Sequence, residues 1–352
     1  MDLLVDHHCH GVVRRELDRA EFEARLSEAD RPAPGTTLFD SALGDALRRH
    51  CFPVLDLLAT ADPDDYLARR AELGHEEVTG RLLRAAGLAA VLVDTGFLPE
   101  PLTTPAELAA AAGATAHEVV RLESVAEELE VGTATGFAGA VHEALAAAAA
   151  RPDTVAFKSV AAYRVGLALG DERPSEAEVR EAAGRWLADG AGRLADEVLH
   201  RFLAFAALDT GLPLQFHTGL GDRDTDLRLG DPLLLAPWLR AAESTEVPVL
   251  LLHCYPYHRN AAYLAQVFPA VHMDLGLATH NVGARAPGVL AEALELCPYG
   301  KFLYSSDGYA LPELHFLGAV LFRAAADADL IPRTTENAHR VYPTVGGRGP
   351  GR

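Results

Sequence analysis

Positive charge is scarce in this sequence: 31 Lys+Arg stand against 50 Asp+Glu, a formal net charge of −19 over 352 residues. A chain this acidic repels phosphate backbones and anionic lipid, and no local basic patch offsets it, so neither nucleic acid nor a membrane surface is expected as a partner. Cysteine is scarce as well. Cys9, Cys51, Cys254 and Cys297 are far apart and form no CxxC, which fits a reducing compartment and a chain too large to need disulfide staples. Long apolar runs are missing; ALAAAAA at 144–150 suits an ordinary helix and is too short for a membrane span. The first residues, MDLLVDHHCHG, lack the basic start, apolar stretch and cleavage site of a signal peptide. A glycine-rich loop of the P-loop or dinucleotide type is absent, and so is the G-x-S-x-G elbow of α/β serine hydrolases. A soluble, cytoplasmic globular protein acting on a small-molecule substrate is expected, with a homo-oligomer left open.

Apolar residues make up 49% of the chain and charged residues 23%, with a mean hydropathy of +0.06, enough for a large buried core. Eight short apolar runs end in polar residues: 3–10, 89–97, 117–123, 154–160, 212–219, 248–255, 271–277 and 301–307. Runs apolar on both faces suit parallel strands covered by helices. Helical stretches follow most of them, at 135–150, 175–208 with a break near Gly190–Gly192, 232–243, 257–267, 287–296 and 312–326. Pro232 and Pro312 stand where a first-turn proline belongs. Eight strands alternating with helices predict an α/β fold, a (β/α)8 TIM barrel, with an open doubly wound sheet as the rival. The first connection is too long for a simple crossover. Residues 11–88 read as a helical insertion, with helices over 16–29, 41–58 and 62–86, placed after strand one as a cap over the C-terminal mouth. The expected organisation is one barrel over 1–344, with 345–352 as a flexible tail.

Chemistry-bearing residues collect at the ends of these runs. In Asp6-His7-His8-Cys9-His10, alternation on a strand turns His8 and His10 to one face, with Asp6 one layer deeper. HxH alone also fits a polar strand end with satisfied histidines. Lys158 lies near the end of the fourth run, His217 of the fifth, His253 of the sixth and Asp307 of the eighth. An apolar strand gains nothing from ending in histidine or aspartate, because burying either is unfavourable unless it is paired or ligated. Nitrogen and oxygen donors of this kind suit a divalent metal such as zinc. Arg164, after Tyr163, reads as a clamp for a substrate carboxylate or as a loop salt bridge. Tyr255, His280 and Tyr309 read as pocket lining, and Asp222, Arg223, Asp224 and Asp226 as a solvated loop.

This pattern resembles the amidohydrolase superfamily of metal-dependent barrel hydrolases. The stretches FKSVAAYRVGL (157–167), LPLQFHTGLGDRDTDL (212–227), LLHCYPYHRNAAYLA (251–265) and LYSSDGYALPELHF (303–316) resemble its FluG-type branch, amidohydrolase domains fused to, or encoded beside, glutamine-synthetase-like enzymes. The resemblance implies His8, His10, Lys158, His217, His253 and Asp307 as metal ligands, one ion or two, the second if Lys158 is carboxylated. It implies catalysis by Asp307 and His253: Asp307 takes the proton of a metal-activated water. Tyr163, Arg164, Tyr255, His280 and Tyr309 are the expected substrate contacts. The implied reaction is cleavage of a C–N amide bond, of a γ-glutamyl amide or a related carboxylate-bearing substrate. The alternatives are non-oxidative decarboxylation on the same barrel, which makes no use of a strand-four lysine, and a non-catalytic regulatory protein.

Overall fold

In a computed structural model, which describes residues 2–29, 33–97, 100–130 and 132–345, seven of the eight apolar runs form strands of one parallel sheet. They are β1 (Leu4–Cys9), β2 (Leu88–Asp94), β3 (Thr115–Arg121), β4 (Thr154–Ser159), β5 (Leu214–Thr218), β6 (Val249–His253) and β7 (Val271–Met273), paired in sequence order. Every residue of β1, β4, β5 and β6 is buried, because apolar layers cover both faces. Val5, Ala90, Leu92, Val119, Leu250 and Leu252 pack inside the curled sheet. Their strand neighbours Leu4, Val91, Val93, Phe216 and Leu251 pack outward among the helices.

The eighth run is a correction to the expected barrel. Residues 301–307 form no strand. They run between β7 and β1 through single bonds instead: Leu303 N–H donates to Met273 O at 3.0 Å, His7 N–H to Tyr304 O at 3.1 Å, and Asp307 N–H to His8 O at 3.1 Å. A ladder cannot continue because the Ser306 amide donates to the Asp6 carboxylate at 2.8 Å, and Asp307 turns into the left-handed region at φ 49°.

The same Asp6 corrects a second expectation. The pairing of β1 with β2 shifts register between Asp6 and Cys9, and such an irregularity breaks simple alternation. His7 and His8 therefore both reach Gln215, His7 through its carbonyl. Asp6 turns away from them to Ser306 and to His315, at 4.0 Å.

The long first connection carries helices Arg19–Ala24, Ala42–Val54, Pro63–Leu73 and His75–Ala86. Asp18 and Asp62 cap the first and third with reciprocal bonds, and Gly74, at φ 80°, splits the last two. The last of them packs against helices Pro312–Ala325 and Pro105–Ala112, in the outer layer. Pro63–Leu73 is tied to Pro312–Ala325 by a buried cluster: Glu313 pairs with Arg70 and accepts from Tyr66 Oη at 2.7 Å. Arg70→Ala strands a buried carboxylate and is expected to lower unfolding stability by about 3–5 kcal/mol, read as a lower denaturant midpoint. An unchanged midpoint would show that Glu313 does not depend on the arginine.

The helix Leu330–Val341, absent from the sequence reading, closes the N-terminal end of the sheet. Ala338, Val341, Tyr342 and Val345 join the inner apolar layer, and Thr335 Oγ1 bonds Leu3 O just ahead of β1. Val345 is thus buried, and the rest of the expected tail lies outside the described residues. Among the described residues, no helix is long and apolar enough to cross a membrane.

Candidate metal centre

Four strands and the closing segment deliver the site. His8 and His10 come from β1 and the residue after it, Lys158 from β4, His217 from β5, His253 from the last residue of β6 and Asp307 from the closing segment. Asp307 stands between three imidazoles. Its Oδ1 lies 3.4 Å from His8 Nε2 and 3.5 Å from His10 Nε2, and its Oδ2 lies 3.5 Å from His253 Nδ1. Single ligand atoms of His8, His10 and Asp307 all fall within 4.8 Å of one another. Lys158 Nζ lies 3.1 Å from His8 Nε2. His217 sits one ring further out, its centroid 4.6 Å from that of His253, with Nε2 donating to Leu220 O at 2.9 Å. That leaves His217 Nδ1 as its lone-pair nitrogen.

Backbone geometry aims two of these groups. His253 (φ 68°) and Asp307 (φ 49°) both occupy the left-handed region, uncommon outside glycine and asparagine. Gly276 leaves room for them: a Cβ there would stand 2.6 Å from Ser305 Oγ and 2.9 Å from His253 Nδ1. His10 Nδ1 lies 3.2 Å from Asp94 O. A carbonyl only accepts, so this nitrogen carries the proton and Nε2 turns its lone pair to Asp307.

The donor set fits a divalent cation. Both ring nitrogens of His253 and Oδ1 of Asp307 are buried without a hydrogen-bond partner, an arrangement that costs about 1–3 kcal/mol per group unless something ligates them. Burial, then the nearby Lys158 and the other histidines, hold His8 well below the ordinary histidine range; burial likewise holds down His217 and His253. Neutral imidazole is the form that binds metal. Burial also pushes the Lys158 ammonium down to about 8, against the pull of Asp94 and Asp307. Nitrogen-rich sites with carboxylate oxygen suit zinc-type ions.

The centre opens into a cleft of about 490 Å³. Phe97 and Tyr309 line it, with Tyr309 5.8 Å from the His10 ring. Tyr163 lines it too, 4.4 Å from the His217 ring. Arg121, Arg164 and Arg193 also line it, each held by a carboxylate: Asp94 at 2.6 Å, Glu127 at 2.9 Å and Asp224 at 2.8 Å. Arg164 thus lines the cleft from within a salt bridge to Glu127. Tyr255 and His280 do not line the cleft. Tyr255 stacks on His258 at 5.7 Å, and His280 is buried on its helix beside the Ser306 main chain. Residues 24–29 of the first connection form part of the rim. Arg25 and Glu28 there carried no motif that sequence reasoning could use. Asp274 and Gln215 did carry one, a polar residue in or after an apolar strand.

Glu28 yields a pH expectation. Burial first, then the charges of Asp307 and Asp222, raise its carboxyl from 4.5 to about 7. The folded chain then holds this proton more tightly than the unfolded chain, so stability declines as pH rises from about 4.5 through 7. Glu28→Gln should match the parent near pH 4 and exceed its stability at pH 8 by at least about 1 kcal/mol. Parallel thermal melts at the two pH values check this; equal differences at both would remove Glu28 as the cause.

The amidohydrolase family model matches residues 5–344. A crystal structure from Lactobacillus casei described as a metal-dependent hydrolase superposes with a TM-score of 0.82 at 30% identity, covering 97% of this chain and 95% of that one. Glucuronate isomerase from Caulobacter crescentus shares the fold alone, with a TM-score of 0.58 at 15% identity over 99% of this chain and 93% of that one. Protein fluG of Emericella nidulans is 38% identical over 196 residues, 51% of this chain but only 22% of that protein. The chain therefore belongs to the amidohydrolase family.

Proposed function

We propose that the chain is a hydrolase that uses one divalent metal ion, or two, to cleave a C–N bond of an amide carrying a carboxylate, a γ-glutamyl amide being the favoured class. The observation that carries this reading is the Asp307 carboxylate set between His8, His10 and His253 at 3.4–3.5 Å. His8, His10, His217, His253 and Asp307 would hold the metal, zinc by the chemistry of the donors. When bound, the ion supplies Lewis acidity and makes water nucleophilic near neutral pH. Asp307 takes the proton from the attacking water and returns it to the leaving nitrogen, so that an amine or ammonia departs neutral. His253 polarises the substrate carbonyl beside it. Arg164 and Tyr163 orient the substrate carboxylate. Lys158, in its neutral form, adds CO2 to give a carbamate and a proton, which turns one nitrogen into two oxygen donors.

In this reading the part of the first connection at 24–29 caps the cleft at its rim, where excluding water strengthens the electrostatics inside. The FluG-type resemblance supports an amide substrate, and Lys158 inside the cluster weighs against decarboxylation. The test incubates zinc-loaded protein with γ-glutamyl amides and assays ammonia, amine and CO2. Metal-dependent ammonia or amine release supports the reading. Release of CO2 from an aromatic acid, with no amide cleaved, would replace it with a lyase. Metal analysis of the same sample counts ions: two support the Lys158 carbamate, one argues against it.

A further inference from the structure

Behind the candidate ligands lies a buried polar chain that the reaction scheme does not use. Gln215 Nε2 lies 2.9 Å from His7 O and 2.9 Å from Tyr342 Oη. The first partner only accepts, which identifies this atom as the amide nitrogen and Oε1 as the oxygen. Oε1 lies 2.8 Å from His8 Nδ1. An amide oxygen only accepts, so His8 must carry its proton on Nδ1. Its Nε2 is then bare, facing Lys158 at 3.1 Å and Asp307 at 3.4 Å.

The remaining links run the same way. Tyr342 Oη receives from Gln215, leaving its own proton for His7 Nδ1 at 3.1 Å. His7 then accepts at Nδ1 and carries its proton on Nε2, which lies 2.7 Å from Asp274 Oδ2 as a close charge contact rather than an aligned hydrogen bond. Asp274 ends the chain as a pure acceptor. It receives the Ser305 hydroxyl at 2.8 Å and the main-chain N–H of His253 at 2.6 Å. His7, Gln215 and Asp274 are fully buried, so water does not compete for these protons.

We propose that His8, Gln215, Tyr342, His7 and Asp274 form a one-way proton-ordering chain in which Gln215 is a positioning residue that locks His8 in the Nδ1–H tautomer. The direction follows from the His7 carbonyl at one link and the Asp274 carboxylate at the end. A reversed His8 would point an N–H at Lys158 and the centre, and no lone pair would face a cation. The same carboxylate takes the N–H of His253, so the chain ties two candidate ligands together. Tyr342 gives the C-terminal segment a part in the centre that no strand could supply.

The inference rests on His8 being a metal ligand, and its readout is chosen to be separable from activity. In metal-free protein labelled with ¹⁵N-histidine, ring-nitrogen shifts and two-bond correlations report each tautomer. His8 is expected as Nδ1–H and His7 as Nε2–H. Gln215→Leu should lose the His8 preference and weaken zinc binding about 10–100-fold, measured by competition with a chromophoric chelator. Tyr342→Phe should leave His8 unchanged, because Gln215 keeps its bond to His7 O, and should leave His7 as Nε2–H, because the Asp274 carboxylate still faces that nitrogen. That pattern is not what simple loosening of the core would produce, and the parent's own tautomers decide the matter even if Gln215→Leu fails to fold. An Nε2–H His8 in the parent, or an unaltered tautomer and zinc affinity in Gln215→Leu, would overturn the chain. Failure of the parent to take up zinc would overturn the metal reading, while the tautomer signals would still decide the proton order.

Discussion

Asp307→Asn is expected to cut turnover about 10²–10⁴-fold, the range positioned proton transfer contributes, while the protein stays folded and keeps most of its metal. Asparagine has the same outline as aspartate, so the contacts around His8, His10 and His253 survive. Its carbonyl oxygen still faces the cation, but it takes no proton from water. The Asp307 amide bond to His8 O is main-chain and is untouched. Elemental analysis beside turnover separates the outcomes. Turnover near that of the parent would remove Asp307 as the proton carrier. The role would not pass to His280, which is buried away from the cleft and which burial lowers to about 4.

His8→Ala and His10→Ala should fail differently. Each removes an Nε2 that lies within about 3.5 Å of Asp307, so metal content falls first and turnover falls with it. Loss of a ligand exceeds the 10–100-fold affinity effect typical of an outer partner, so these variants should bind zinc more weakly than Gln215→Leu. Excess zinc should restore part of the turnover of His10→Ala and none of that of Asp307→Asn. Full metal content in His8→Ala would remove that residue from the ligand set. These comparisons assign separate roles to side chains that share one cluster.

Much of this site was legible because its signals are local. A histidine or aspartate at the end of an apolar strand stands out within a few residues, and the strand–helix rhythm turned such ends toward one mouth. His8, His10, Lys158, His253 and Asp307 were found that way, and the structure brings them together; His217 follows at one ring's remove. Tyr255 and His280 met the same criterion by position in the chain but pack elsewhere, because position does not reveal which way a side chain turns after its strand ends.

Strand-end chemistry, first-turn prolines such as Pro232 and Pro312, and the parallel α/β order were determined by the sequence itself, through periodicity and helix-start signals that act over one or two turns of chain. Only the tertiary structure decided the register shift that turned Asp6 away, the closing segment that forms no strand, the cleft rim at Arg25 and Glu28, and the chain from His8 to Asp274. Those features depend on contacts such as His7 with Tyr342, 335 residues apart, and His8 with Gln215, 207 apart. Which polar groups meet inside a curled sheet is set by strand register and curvature, and these follow from the packing of all its strands and helices at once.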